Sequence, residues 1–269
     1  MCCVSSRPVN ARHELRIDRH AGASLPLSTA ALVPDARVRR IALFDLDGTL
    51  TRRDTLMPYL LGFGVRAPMR LLRLLVCLPG ALFHYAFHGR DRGELKETLI
   101  TAALAGSTRV QIARWNEKFV PRLLRAGMHS QALKQVAAHR AHGDYLVLMS
   151  ASPDLYIPAI ARALGFNETI CTAVRWDGMI LNGELLTPNR RGEEKLQCVL
   201  ALRRRHIDVP ITAYGNSASD LPHLGACEHP YLVQGDPHAV REAARIGVQI
   251  GWPLDIESSR ASVSTQSRG

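Results

Sequence analysis

Two aspartates stand two positions apart at the end of a short apolar run, in the stretch ALFDLDGTLT at residues 42–51. Because side chains alternate along an extended segment, Asp45 and Asp47 project to the same side. Gly48 lets the backbone turn behind them, and Thr49 can bond the turn or a nearby anion. Asp and Gly also favour ordinary turns, but burying two carboxylates without partners is costly. The stretch therefore predicts a functional site rather than a simple loop.

Three further stretches carry polar residues with chemical potential. Ser150 closes the apolar run LVLMS, Lys195 lies in RRGEEKLQCV, and the loop YGNSASDLPHL contains Asn216 and Asp220. Taken alone, a serine at a strand end bonds the backbone and a lysine on a helix face is solvated. Each of these residues indicates a functional site only in combination with the others.

Short apolar runs alternate with helical patterns along the chain. Strand-like runs cover 40–48, 145–152, 169–174 and 211–217, and helical patterns cover 156–165, 193–206 and 220–227. Gly165 and Gly225 stand where helix C-terminal caps need glycine. The alternation predicts an α/β protein, a Rossmann-like parallel sheet with helices on both faces. Ligands bind beyond the carboxyl ends of such strands, where Asp45, Ser150 and Asn216 lie.

The same patterns divide the chain into regions. Residues 1–38 are polar and basic without periodicity and residues 256–269 are Ser-rich, so a disordered arm and a flexible tail are expected there. The catalytic core is predicted over 39–54 and 136–255. The mainly helical stretch 55–135 is too long for a simple crossover, so it is predicted to be an inserted cap.

One apolar run inside that stretch, Leu74 to Phe83, has two interpretations. Pro79–Gly80 interrupts it and Arg70, Arg73, Arg90 and Arg92 flank it, and it is too short for a convincing membrane span. It is either a cap core buried against its neighbours, which is favoured, or an amphipathic hairpin that lies on a membrane with its arginines toward the headgroups.

Net charge and cysteine content constrain the partners and the compartment. The chain has a net charge of +10, which suits anionic lipid or phosphorylated small molecules but also describes an ordinary solvated surface. No aromatic residues interleave with the arginine clusters, so no nucleic-acid partner is expected. None of the six cysteines forms a CxxC or zinc-like spacing. A cytoplasmic protein is predicted, with peripheral contact at the inner face of the membrane as an extension.

Four motifs in order resemble those of the haloacid dehalogenase-like hydrolase superfamily. FDLDGTLT matches its first motif, hhhDxDGT[LV], and the runs that contain Ser150 and Lys195 match the second and third. YGNSASDLPHL resembles its acidic fourth motif, GDxxxD. The helical insertion resembles the cap of the subfamily, called IB, that includes phosphoserine phosphatase. The resemblance spans about 40–235 and implies phosphatase activity.

The resemblance also implies roles for individual residues. Asp45 would be the nucleophile that forms an aspartyl-phosphate, and Asp47 the general acid and base. Phosphate would be held by Ser150 and by the segment around Gly48, Thr49 and Ala151, with Lys195 supplying positive charge. Asp54 matches a family position that holds a substrate amine. Mg²⁺ would be bound by Asp45, the Asp47 carbonyl, Asn216 and Asp220.

Two departures from the family pattern keep alternatives open. Asn216 stands where the family usually has a metal-binding aspartate, and an amide brings no negative charge. The cap arginine that holds a carboxylate in phosphoserine phosphatases aligns with Ile100 or Ala102. The substrate is therefore expected to be another small or lipid-linked phosphate ester. A catalytically weakened or regulatory phosphate-binding protein is the alternative, and phosphotransfer or carbon–halogen cleavage is a third option.

Overall fold

The computed structural model describes residues 38–87 and 92–253 of the chain. The arm predicted over 1–38, apart from its last residue, and the tail predicted over 256–269 lie outside these residues.

A six-stranded parallel sheet forms the centre of the described region, in the order β3-β2-β1-β6-β7-β8. A two-stranded antiparallel hairpin, β4–β5, stands apart from it. The strands are β1 Ile41–Asp45, β2 Tyr145–Pro153, β3 Glu168–Thr172, β4 Val174–Asp177, β5 Ile180–Leu185, β6 Ile211–Gly215, β7 His229–Leu232 and β8 Gln249–Ile250. The predicted α/β fold with a Rossmann-like parallel sheet is confirmed.

Helices flank the sheet and fill the long connection between β1 and β2. They are α1 Leu56–Gly64, α2 Pro68–Phe87, α3 Arg92–Leu104, α4 Arg109–Ala126, α5 Ser130–Ala141, α6 Ile157–Leu164, α7 Glu193–Arg205, α8 Leu221–Leu224 and α9 Pro237–Arg245. Gly165 ends α6 with a φ of 76°, as predicted, whereas Gly225 ends α8 with a φ of −62°, which any residue can adopt.

Every residue of β1 is buried, which explains its uninterrupted apolar sequence. Ile41 and Leu43 face a cluster that includes residues of α7, α8 and α9, and Ala42 and Phe44 face a cluster that includes residues of α5 and α6. With both faces covered, the strand can present a polar side chain only at its carboxyl end. That position is Asp45.

A buried polar network lies near the opposite ends of these strands. Asp144 Oδ1 accepts a hydrogen bond from Arg40 Nε at 2.9 Å, and its Oδ2 contacts His139 Nδ1 at 2.6 Å. His139 Nε2 contacts the Tyr214 hydroxyl at 2.9 Å. Burial would raise the Asp144 pKa, but the hydrogen bonds from His139 and Arg40 outweigh it and lower that pKa. The network stabilises the junction of β1, β2 and β6 only while Asp144 is ionised.

Helices α1–α4, called the helical insertion below, join the sheet through two chain crossings that are bonded to each other. Arg52 N donates to Gly127 O at 2.8 Å, His129 N donates to Leu50 O at 2.9 Å, and an antiparallel bridge pairs Thr51 with Met128. The predicted boundary of cap and core at 135/136 falls inside α5, which packs against β2. Helix α5 begins at Ser130, directly after the second crossing, and the boundary between cap and core stays a prediction.

Helix α2 departs from the favoured interpretation of its apolar run. Of its twenty residues only Leu74 is buried, and the helix continues through Pro79 without a break. Within the described residues it is also the one helix long and apolar enough to cross a membrane, with a mean hydropathy of 1.3. One side of α2 packs on α3, so its length and composition alone do not identify it as a membrane-spanning helix. The prediction of a buried cap core is wrong for this helix.

Candidate active site

Lys195 lies between two carboxylates, Asp45 and Asp220, which are 175 residues apart in the sequence. Its Nζ, at the start of α7, donates to Asp45 Oδ1 and to Asp220 Oδ1, both at 2.6 Å, and all three side chains are buried. Burial would lower the Lys195 pKa, but the two carboxylates outweigh it and raise that pKa. Lys195 is therefore a permanent cation between them.

The two carboxylates differ in their proton affinity. Burial raises the Asp45 pKa to about 7, since Lys195 compensates its charge only in part. Burial also opposes ionisation of Asp220, but Lys195 outweighs it and lowers the Asp220 pKa. Asp220 Oδ2 additionally accepts from the Ser217 amide at 3.0 Å and hydroxyl at 2.8 Å. Asp220 is thus the fixed anion of the pair.

Asp47 is held on both of its oxygens. Oδ1 accepts from the Thr55 amide at 2.8 Å and hydroxyl at 2.7 Å, and Oδ2 accepts from Ser152 Oγ at 2.6 Å. Tyr156 Oη lies 3.0 Å from the Thr55 hydroxyl and supports it from behind. Burial raises the Asp47 pKa despite these donors. A carboxyl that is both oriented and reluctant to ionise suits proton transfer.

Gly48 is required by the approach of Asn216. Its φ is +86°, and a Cβ added there would lie 2.1 Å from Asn216 Nδ2. Thr49 Oγ1 lies 2.9 Å from Asp45 Oδ2 and 3.3 Å from Asn216 Oδ1. The tight turn after β1 therefore brings the first and fourth predicted motifs into contact.

Some residues at the end of β2 line the cavity beside Asp47, and others are buried behind that lining. Ser150 is fully buried, and its Oγ accepts from the Ser152 amide at 3.0 Å and donates to Asp47 Oδ2 at 3.4 Å. Ala151 and Ser152 reach the cavity surface. Asp54 is exposed, and its Oδ1 accepts from the Leu56 amide at 2.9 Å at the start of α1.

These groups surround a cleft of about 610 Å³, counted with the space open to solvent. Seven of the predicted residues line it: Asp45, Asp47, Asp54, Ala151, Lys195, Asn216 and Asp220. Ser150 and Thr49 stand behind this lining and hydrogen-bond to it. The structure thus brings the predicted set together, and the role of each residue stays a prediction.

Lys96 of α3 enters this cleft from the helical insertion. Its Nζ donates to the Ala151 carbonyl and to Asn189 Oδ1, each at 2.5 Å. Burial lowers the Lys96 pKa to about 8, although Asp47 and Asp54 oppose that effect. Arg92 and Arg191 also line the cleft. The site therefore contains cations from the insertion, from α7 and from the loop before α7.

Oxygen donors at the bottom of the cleft fit Mg²⁺. Asp45 and Asp220 offer carboxylates, Asn216 an amide oxygen and Asp47 a main-chain carbonyl, all hard ligands of the kind that Mg²⁺ takes. Within residues 38–87 and 92–253 no three His, Cys, Asp or Glu side chains cluster as a metal site, so the amide and the carbonyl are needed. Burial raises the Asp45 pKa, and the neighbouring Asp220 and Asp47 carboxylates raise it further, so a divalent cation here would favour the ionised form of Asp45.

Sequence reasoning missed Thr55, Ser152 and Lys96. Ser152 lies two residues after Ser150, so the alternation of an extended segment could have placed it on the same side. Nothing in GELKETL separates Lys96 from the other charged residues of α3. Its role depends on where α3 packs, and a single sequence does not reveal that.

Comparison with known proteins identifies the family. The haloacid dehalogenase-like hydrolase family matches residues 42–225. Protein CicA of Caulobacter vibrioides is 36% identical over 70% of this chain and 83% of its own length. A probable phosphatase of Mycobacterium tuberculosis is 27% identical over 81% of this chain and 75% of its own.

A solved structure agrees at the level of the fold. The probable phosphoserine phosphatase of Vibrio cholerae superposes with a TM-score of 0.60 and 14% identity, over 86% of this chain and 68% of its own. At 14% identity this likeness concerns the fold alone, whereas the family match together with the phosphatase relative supports a hydrolase of phosphoric monoesters. With its motifs gathered at one end of a parallel sheet and its family match over most of its length, the chain belongs to the haloacid dehalogenase-like hydrolases.

Proposed function

We propose that this hydrolase is a Mg²⁺-dependent phosphatase that acts on a small or lipid-linked phosphate ester. One observation carries the proposal. A buried carboxylate, Asp45, with Lys195 Nζ 2.6 Å away, shares a cleft with a second carboxyl, Asp47, that is oriented and of raised pKa. That arrangement supports attack by one group and proton transfer by the other.

In the first step an Asp45 oxygen forms a bond to phosphorus as the bond from phosphorus to the ester oxygen breaks. Asp47 donates its proton to the departing oxygen, so the alcohol leaves neutral. In the second step Asp47 accepts a proton from water, and the water oxygen displaces Asp45 from phosphorus. Phosphate is released and both aspartates return to their starting states. The hydrogen bonds from Thr55 and Ser152 keep Asp47 in place through both steps.

The surrounding residues bind the phosphoryl group and its charge. The amides near Gly48, Thr49 and Ala151 and the Ser150 hydroxyl would hold its oxygens. Lys195 stays protonated throughout and offsets charge at Asp45. Mg²⁺ held by Asp45, the Asp47 carbonyl, Asn216 and Asp220 would offset charge on the phosphoryl oxygens and fix their orientation. Asp54, at the mouth, would contact a cationic part of the substrate.

The proposal extends to where the reaction occurs. We propose a cytoplasmic protein that contacts the inner face of the membrane when its ester is lipid-linked. The net charge of +10 supports contact with an anionic surface.

Turnover of p-nitrophenyl phosphate tests the proposed function. The parent is expected to hydrolyse it with Mg²⁺ and to stop when the metal is chelated. Asp45→Asn should abolish turnover, and Asp208→Asn, which changes an exposed aspartate outside the cleft, should leave it intact. Hydrolysis that survives Asp45→Asn contradicts the nucleophile assignment. Phosphate binding without turnover in the parent would favour the regulatory alternative, to which Asn216 points.

A further inference from the structure

Helix α2 carries two apolar stripes, and the fold uses only one of them. Leu71, Leu74, Leu78, Ala81 and Tyr85 recur every three or four residues on the side that is buried or partly buried. This spacing marks one face of a helix. The contacts of α2 with α3 account for this inner stripe.

The second stripe, called the outer stripe, faces away from the rest of the protein. Leu72, Leu75, Val76, Leu82 and Phe87 are 54%, 50%, 70%, 48% and 71% exposed. Helices that are apolar all round are normally covered on every side. An exposed apolar surface of this length marks a contact surface.

The charged residues around the outer stripe indicate which kind of partner binds it. Helix α2 contains no Asp or Glu, and Arg73 lies along one border of the stripe. Arg66, whose guanidinium lies over the Trp115 ring, precedes the helix, and Arg92, which donates to Tyr85 Oη, follows it. An apolar face bordered by arginines is the composition of helices that lie in the interface of anionic bilayers. A second copy of the chain would bring like charges together at the same borders.

We propose that the outer stripe of α2 docks the protein on the surface of an anionic phospholipid bilayer, with the helix parallel to the membrane plane. The inner stripe keeps α2 on α3, so the helix binds the interface without crossing it. Arg73 contacts lipid phosphates, while the leucine, valine and phenylalanine side chains of the outer stripe enter the boundary between headgroups and acyl chains.

The docked helix is continuous with the wall of the catalytic cleft. Arg92 lines that cleft, and its Nε donates to Tyr85 Oη of α2 at 3.2 Å. Docking would therefore hold the cleft beside the lipid headgroups, and this consequence for the substrate rests on the proposed function. The docking itself does not, because it concerns a surface that takes no part in hydrolysis.

Co-sedimentation with vesicles tests the docking without any measurement of turnover. The full chain is mixed with vesicles of phosphatidylcholine alone or of phosphatidylcholine with phosphatidylglycerol. The parent should bind the anionic vesicles, more weakly at high salt, and bind neutral ones much less. Leu75→Glu/Val76→Glu should weaken binding by about tenfold or more. The control Met179→Glu/Ile207→Glu adds the same charge at exposed apolar positions elsewhere and should bind as the parent does.

Three results would overturn the proposal: a parent that stays in the supernatant with anionic vesicles, binding that ignores the α2 substitutions, or equal binding to neutral vesicles. Light scattering adds a fourth, a dimer that the same substitutions dissociate, which would mean that a second copy covers the stripe. Circular dichroism checks that both double variants fold.

A fluorescent label on the outer stripe gives a second measurement. Cys77 is an exposed thiol beside the stripe, so Cys77→Ser joins Cys2→Ser and Cys3→Ser in the background, and Val76→Cys supplies the labelling site. An environment-sensitive maleimide at position 76 should shift to the blue with anionic vesicles. A label that stays in water while the protein sediments with the vesicles would place the contact elsewhere and overturn the proposal.

Discussion

Replacing Lys96 by methionine tests whether the helical insertion supplies a working cation to the cleft. Methionine keeps the unbranched apolar stem of lysine and removes its charged ammonium group. The ammonium has three N–H donors, and the Ala151 carbonyl and Asn189 occupy two of them. We expect the third to bond the phosphate ester as it binds and reacts.

The size of the effect follows from the kind of bond that is lost. A hydrogen bond to a charged group contributes about 1.5–3 kcal/mol, and each 1.4 kcal/mol is about a factor of ten. Lys96→Met should therefore lower kcat/KM for p-nitrophenyl phosphate by about ten- to a hundredfold. Lys118→Met, on the exposed side of α4, is the matched control and should have no effect.

The pH profile separates a charge effect from a packing effect. Because burial lowers the Lys96 pKa to about 8, the parent should lose kcat/KM as the pH rises through that value and the ammonium deprotonates. Lys96→Arg keeps its charge, so its decline should move to higher pH, and Lys96→Met should lack this decline. An unchanged kcat/KM in Lys96→Met at neutral pH, or the same alkaline decline in all three proteins, would refute the reasoning.

Two further predictions concern stability. Gly48→Ala places a Cβ 2.1 Å from Asn216 Nδ2 at a φ of +86° and should lower the free energy of unfolding by about 1–3 kcal/mol in urea titrations. Gly178→Ala, at a φ of +62° with open space around it, isolates the backbone strain and should cost less. Asp144→Asn should cost about 3 kcal/mol, since it removes one partner of a buried ionic network. The Asp144 pKa is lowered in the folded protein, so the network stabilises fully above the unfolded-state pKa, and its contribution is lost as the pH falls through the folded-state pKa. In thermal melts the Tm of the parent should therefore approach that of Asp144→Asn in acid. Equal costs for the two alanine variants, or a constant gap for Asp144→Asn in acid, would contradict these explanations.

The sequence predicted the sheet and its motifs because those signals are local. Strand β1 reads as a continuous apolar run, since both of its faces are covered, and the aspartates follow at its end. Strands β4, β5, β7 and β8 were not predicted, because their short runs give weaker patterns. The environment of α2 was mispredicted because its two apolar stripes look alike in sequence, and only packing decides which of them is covered. Lys96 was missed for a similar reason, because its partners are on the β2 end and on the loop before α7.

The paired crossings at 50–52 and 127–129 constrain how the helical insertion can move. Two separate connections would let it slide, twist or swing, but here they are hydrogen-bonded as a short two-stranded ribbon. The insertion also packs on the β4–β5 hairpin through α3 and on α6 through α4. The ribbon and these contacts together hold Lys96, carried on α3, against Ala151.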